Sequence, residues 1–384
     1  MAAGRTLVDT FHAWDPRRQP LSVVAGFDGF VDEMISVVGS RSGDGTWTPM
    51  GSMADLGAIL AASSGRNGLR EMVVRSVDPG GCSVNLGDGL LGLGVAVDHF
   101  GTTGSPRHPA FADFASRCRS CTSWSGAYGR SLCLEFADGK FFLAAVDQLR
   151  ELTVEVVEGA LADGAYARAC AQAGCIVLTN WSLYPHMTAI WRLLARRVFA
   201  GLRHRPWCFI DLVDPSSRSA EDVRAMLATL ADFPDTVRVS FGLNLTEATV
   251  VSRHLGLAEP AAHPEGLGGA AARLREHLGL DEVVLHNREG NAVAWSGGTA
   301  AVQPGPRCAI PRKSTGAGDR FNAGYCLGLL LGLAPADRLD LGSAVAGVFL
   351  RRGRSGTKAE LEAFLAAWAA STAVDEALGD PPRG

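Results

Sequence analysis

Short apolar runs alternating with longer amphipathic stretches limit this chain more than any other feature. The runs at Leu21–Phe27, Glu71–Val77, Val95–Phe100, Cys175–Thr179, Trp207–Leu212, Thr236–Phe241 and Glu282–His286 read as strands. Between them, Asn85–Gly92, Pro185–Phe199, Ser219–Leu230, Leu245–His254, Leu267–Leu278 and Leu361–Trp368 carry helical periodicity. Strands that alternate with helices build a parallel sheet covered on both faces. Right-handed crossovers then give an α/β fold, a three-layer α/β/α Rossmann-like domain.

Two stretches break the rhythm. Leu132–Phe136 and Phe141–Ala145 flank Asp138-Gly139, a strong hairpin signal. Residues 39–52 are rich in Gly and Ser around Trp47 and Met50. Both are expected to form a small β lid drawn from about 30–52 and 104–146, within one domain spanning 1–384. The tail 379–384 is expected to fray.

Composition narrows the function. Net charge is −4 over 384 residues, so no basic field calls for nucleic acid. Only three lysines occur, Lys140, Lys313 and Lys358, and none sits in a G-x-x-x-x-G-K-[ST] phosphate loop or a V-A-I-K strand. The longest apolar run, Tyr325 to Ala336, is broken by Gly328 and Gly332 and falls short of the roughly 18 residues of a membrane span. Nine cysteines and no apolar leader in Met1–Asp15 point to a reduced, cytoplasmic protein. The Cys118-x-x-Cys121 pair has no second pair to complete a zinc site.

Four loops carry chemistry. In Lys313-Ser314-Thr315-Gly316-Ala317-Gly318-Asp319, two glycines turn the backbone just before an apolar helix, Phe321 to Leu333. Gly316, Ala317 and Gly318 would offer amides to phosphate oxygens at the positive end of that helix. Asp319 in its first turn could take a hydroxyl proton during phosphoryl transfer, or could simply be a dipole-favoured helix start. Asp78-Pro79-Gly80-Gly81-Cys82-Ser83-Val84-Asn85 follows a strand; Gly80-Gly81 allows close backbone approach and Asn85 can bond a polyol, and an ordinary turn is the plainer reading. Asp28 and Asp32 lie past the end of the first strand, where open parallel sheets bind ligands, and either could grip sugar hydroxyls. Asn244-x-x-Glu247 is a capping box or a magnesium-linked pair acting through waters.

In this order the four loops resemble the ribokinase-like (PfkB) family of sugar and nucleoside kinases, from about residue 21 to about 368. Ser314-Thr315-Gly316-Ala317-Gly318-Asp319-x-Phe321 is similar to its C-terminal signature, and Gly80-Gly81 with Asn85 to its sugar loop. Asn244-x-x-Glu247 and Asp214-Pro215-Ser216-Ser217-Arg218 are similar to its N-x-x-E and D-P-x-x-R motifs. The resemblance implies a ribokinase-like fold and transfer of the ATP γ-phosphoryl group to a sugar-like hydroxyl. It implies Asp319 as base, Gly316–Gly318 as anion hole, and Asp28 or Asp32 with Gly80, Gly81 and Asn85 on the acceptor. Asn244, Glu247 and Thr315 would serve the nucleotide phosphates, and Glu247 would hold Mg²⁺ through water.

Three departures shape the expectations. Lys313 stands where the family often has Asp beside a monovalent-cation site, so little K⁺ dependence is expected. His286-Asn287-Arg288-Glu289-Gly290 only partly matches the family's glycine-rich turn, and the loop region 39–70 is long. An exposed β lid makes a homodimer plausible. Two rival readings remain. Gly87-x-Gly89-x-x-Gly92 is a literal dinucleotide fingerprint for an NAD(P)-dependent oxidoreductase, though it falls inside a helix. A non-catalytic sugar-binding protein on the same fold is the other.

Overall fold

The computed structural model describes residues 4–379, so the expected frayed tail lies outside the described residues beyond Gly379. The strands are β1 (Ser22–Gly26), β2 (Phe30–Arg41), β3 (Trp47–Pro49), β4 (Met72–Gly80), β5 (Ala96–Gly101), β6 (Ser120–Ser123), β7 (Gly129–Phe136), β8 (Gly139–Ala145), β9 (Cys175–Leu178), β10 (Trp207–Asp211), β11 (Arg238–Asn244), β12 (Glu282–His286), β13 (Asn291–Trp295) and β14 (Gly298–Val302).

Nine of them form one sheet in the order β14-β13-β12-β11-β10-β9-β1-β5-β6. It is parallel from β6 to β12, and β13 and β14 close it as antiparallel hairpins. Its central strands are continuous apolar runs because both faces are covered. Val24, Ile176, Ile210 and Phe241 pack into one helical layer with Trp191, Met226 and Leu274. Val23, Val177, Phe209 and Val284 point the other way, into Leu86, Phe321, Tyr325 and Phe364. That alternation yields the expected three-layer α/β/α architecture.

The other five strands form a second sheet, β3-β2-β7-β8 with β4 on the far side of β2. Two expectations are corrected here. The run Glu71–Val77 does not join the parallel sheet; as β4 it lies antiparallel to β2. Arg75 and Asp78 break its apolar character, so it cannot be buried on both faces as a core strand must be. The second sheet also draws less from 104–146 than expected. Ala112–Arg117 is helical, and β6 pairs in parallel with β5 at the edge of the main sheet.

Gly87, Gly89 and Gly92 lie inside the helix Cys82–Gly92 and let it pack closely. A side chain at Gly89 would sit 2.9 Å from Ala323 Cβ, and one at Gly92 would collide with the Gly356 carbonyl. Strand-to-helix turn geometry is missing, so the oxidoreductase reading falls.

Candidate active site

The helix Ala317–Leu330 begins at Gly316, whose φ of +84° suits glycine. Asp319 stands in its first turn and accepts a hydrogen bond from Asn85 Nδ2 at 2.9 Å. Burial pushes its carboxyl up to about 6, outweighing Arg320 and the bonds from Cys82 and Asn85. Arg320 itself turns away, pairing with Asp88 at 2.8 Å over the Phe349 ring. One detail of the expected anion hole changes: the Ala317 amide donates to the Ser314 carbonyl at 3.1 Å. The amides of Gly318 and Asp319 are the ones that a helix start leaves without a helical acceptor.

The two aspartates after β1 have different duties. Asp28 is fully buried, and both its oxygens are taken. Oδ1 accepts from the Ser83 amide at 2.8 Å and Thr179 Oγ1 at 2.7 Å. Oδ2 accepts from the Cys82 amide at 2.6 Å and Asn180 Nδ2 at 2.9 Å. Four donors saturate a carboxylate, so Asp28 caps the helix Cys82–Gly92 and the expectation that it grips a sugar is corrected. Asp32, in β2, lies opposite Ser131 of β7 and Asp78 of β4. Burial pushes its carboxyl up to about 6 against the Ser131 bond and the Lys313 charge.

These carboxylates explain the glycine pair. A side chain on Gly80 would collide with the Asp32 carboxylate, and Gly81 holds φ +100° beside Asp28. The pair therefore makes room for two protein carboxylates, where the sequence pointed to a ligand against the backbone. Two of the three lysines tie the second sheet to the anion loop. Lys313 Nζ lies 2.8 Å from Asp78, and Lys140 of β8 reaches Thr315 Oγ1 at 3.2 Å and Glu135 at 2.6 Å.

The sequence matches the prokaryotic ketohexokinase family model over residues 13–368. The chain belongs to that family. It is a carbohydrate kinase, a phosphotransferase, and the non-catalytic alternative gives way. It is 27% identical over 345 residues to a ketohexokinase of Haloferax volcanii, covering 89% of this chain and 90% of the relative. A 61-residue stretch, 16% of each chain, is 44% identical to an inositol 3-kinase of Zea mays. Among solved structures, ribokinase from Thermotoga maritima has a TM-score of 0.60 at 16% identity, covering 90% of this chain and 99% of its own. A point mutant of phosphofructokinase-2 from Escherichia coli also gives 0.60, at 14% identity with the same coverage, so the fold is ribokinase-like.

At the carboxyl ends of β10 and β11, the kinase gathers further groups. Asn244 and Glu247 form a complete capping box, with Asn244 N bonded to Glu247 Oε2 at 2.8 Å and Glu247 N to Asn244 Oδ1 at 3.0 Å. Glu247 is buried, and burial with nearby Asp211 raises its carboxyl well above the usual range. Asp211 is itself pushed up to about 7 by burial and by Asp319. Asn322 Nδ2 donates to Asp211 at 2.6 Å, while the buried Asn322 Oδ1 has no partner. Carboxylates that raise one another beside an unpartnered acceptor fit a hydrated divalent cation. Among the described residues no three His, Cys, Asp or Glu side chains could enclose an ion directly, so such a cation would keep its waters.

Asp211, Asn322 and Lys140 escaped the sequence reading. Asp211 ends a buried strand at the sheet's carboxyl edge, the one signal that could have flagged it. The Asp214–Arg218 turn has structural work: Asp214 accepts from the Ser216 amide at 2.9 Å, and Arg218 stacks 4.3 Å over Trp181. His286 packs 4.8 Å from Phe321, pushed down to about 4 by burial and therefore neutral.

Proposed function

We propose that this kinase transfers the γ-phosphoryl group of ATP to a hydroxyl of a ketohexose, with Asp319 as base. The observation that carries the reading is Asp319 itself: a buried carboxylate raised to about 6, oriented by Asn85, on the first turn of a helix whose open amides suit an anion. A base poised near neutrality accepts a hydroxyl proton at modest cost. Asp32 and Asn85 would bind acceptor hydroxyls, and Thr315, Gly316 and Gly318 would line the phosphate path. Lys140 and Lys313 would balance its charge, and we read the second sheet as a lid held to the loop through them.

Asp211 and Glu247 would hold Mg²⁺ through water, with Asn322 accepting from that water. When bound, the ion supplies charge neutralisation for the triphosphate. The nine unpaired cysteines support a cytoplasmic setting, and the exposed apolar residues of the lid suit a second copy of the chain.

An ADP-release assay tests the reading with fructose, tagatose, sorbose and psicose against ribose, inositols and nucleosides. A ketohexose should give the highest kcat/KM by about ten-fold or more. An inositol as best acceptor would sink the ketohexose assignment and leave the kinase assignment standing.

A further inference from the structure

The end of the main sheet opposite the catalytic loops holds a cavity of about 420 Å³. β10, β11 and β12 start there at Trp207, Arg238 and Glu282, and finish at the candidate site with Asp211, Asn244 and His286. Three arginines line it from separate segments: Arg205 before β10, Arg238 at the start of β11, and Arg275 near the end of the helix Pro264–Leu278.

Three carboxylates also line it: Asp235 is exposed to solvent, and Glu282 and Asp281 are already committed. Glu282 accepts from Tyr325 Oη at 2.8 Å and from Arg338 at 2.5 Å. Asp281 accepts from the Val239 amide at 2.8 Å and lies 3.5 Å from Arg205. Among the described residues Arg275 makes only a long 3.4 Å bond, to the Asp281 carbonyl. The Arg238 guanidinium carbon lies 4.2 Å from the centre of the Trp207 ring, and its buried Nε has no acceptor. Burial, with Arg205 close by, disfavours its charge. Among the described residues Arg238 and Arg275 thus form no salt bridge, although Asp281 and Glu282 favour the Arg238 charge from a distance, and a buried donor such as Arg238 Nε is costly to leave unmet.

We propose that this cavity binds a small phosphate-bearing molecule through Arg238 and Arg275. A tetrahedral dianion offers oxygens in several directions and so serves two guanidinium forks set on different elements, whereas one carboxylate satisfies one fork. The volume exceeds a bare phosphate and falls within the roughly 300–1,000 Å³ of small-molecule pockets. A sugar phosphate, a nucleotide or pyrophosphate would each present the same group. The site is separate from the catalytic loops, and its existence does not depend on which acceptor the kinase uses.

Phenylglyoxal labelling of the full chain, read by peptide mass mapping, locates the binding directly. Pyrophosphate, glucose 6-phosphate and AMP are the three probes. At least one should slow labelling of Arg238 and Arg275 by about ten-fold, leaving exposed Arg66 and Arg70 unchanged. The probe that protects best names the source of the phosphate. In Arg275→Gln, protection of Arg238 should fall below about two-fold. Unchanged labelling with all three probes overturns the proposal. Calorimetric titration of pyrophosphate gives an independent reading: the wild-type chain should show one more binding event than R238Q/R275Q, and equal stoichiometry overturns the proposal as well.

Discussion

The two sheets solve different problems. In the nine-stranded sheet every central strand is packed between helical layers, and its loops are fixed by what lies beneath them. In the five-stranded sheet β2 and β7 carry the buried residues; β4 beside β2 and β8 beside β7 leave Met72, Val74, Val77, Phe141, Phe142 and Leu143 exposed. The catalytic candidates divide the same way. Asp319, Asp211, Glu247 and Asn85 belong to the packed layers, whereas Asp32, Asp78 and Lys140 come from the lighter sheet. Chemistry that depends on preorganised dipoles belongs on rigid elements, and recognition that must open and close belongs on the less stable part. The division can be tested from both sides.

The largest effect should come from the packed side. Asp319→Asn is expected to lower kcat by about 10³-fold or more while nucleotide binding persists. In the wild type, activity should rise through about pH 6 as that carboxyl ionises. Stability should run the other way. The folded value lies above the unfolded one of 3.8, so the native state binds more protons in between, and stability falls as pH rises from about 4 to about 6. At pH 8 the Asn variant should therefore be more stable than the wild type, by about 2 kcal/mol. Thermal melts at pH 4 and pH 8 check the sign. A loss of turnover under about ten-fold would move the base elsewhere and break the division.

How much of this could be read beforehand follows the same line. The buried strands were legible to within a few residues, because two-sided burial leaves an apolar run with nothing else to explain it. The signature loop was legible because glycine before a helix has few physical uses. β4 was not, since an antiparallel strand with one open face and a charged middle looks like a broken core strand. Nor could the sequence distinguish Asp28 from Asp32. Three residues separate them, and only the fold brings Thr179 and Asn180 onto Asp28. Asp211 and Asn322 stayed hidden for a related reason: each resembles the residues around it until the chain meets itself.

On the lighter side, Asp32→Asn should raise KM for the sugar about 10- to 100-fold, with kcat changed only a few-fold. Asp28→Asn is the matched control. It should lower the melting temperature with a smaller shift in KM, since it removes charge-assisted bonds that hold a helix start, each contributing about 1.5–3 kcal/mol. Steady-state kinetics and melts on both variants decide whether the two carboxylates share a role. Equal KM shifts would erase the distinction.

A few-fold effect is expected from the exposed face. Val74→Glu with Leu143→Glu places charges on the outer strands β4 and β8, so a dimer formed there should dissociate. Light scattering should report a monomer, with kcat/KM reduced by no more than about five-fold because the catalytic loops remain on the packed side. An unchanged dimer would place the subunit contact elsewhere, and an unchanged monomer would mean that the sheet needs no cover.

The smallest effect concerns the seam between the sheets. Lys313 Nζ lies 2.8 Å from Asp78, and its charge pulls against the raised carboxyl of Asp32. A cation fixed by the chain already sits beside Asp78 and Asp32, and we propose that it leaves no need for a monovalent ion there. Replacing 100 mM K⁺ by tetramethylammonium should therefore change kcat by less than about two-fold. In Lys313→Met the same exchange should matter more, because Asp78 and Asp32 then face each other with no ammonium between them. Strong K⁺ activation of the wild type would mean that the lysine only straps the lid, and that the loop still takes its charge from solution.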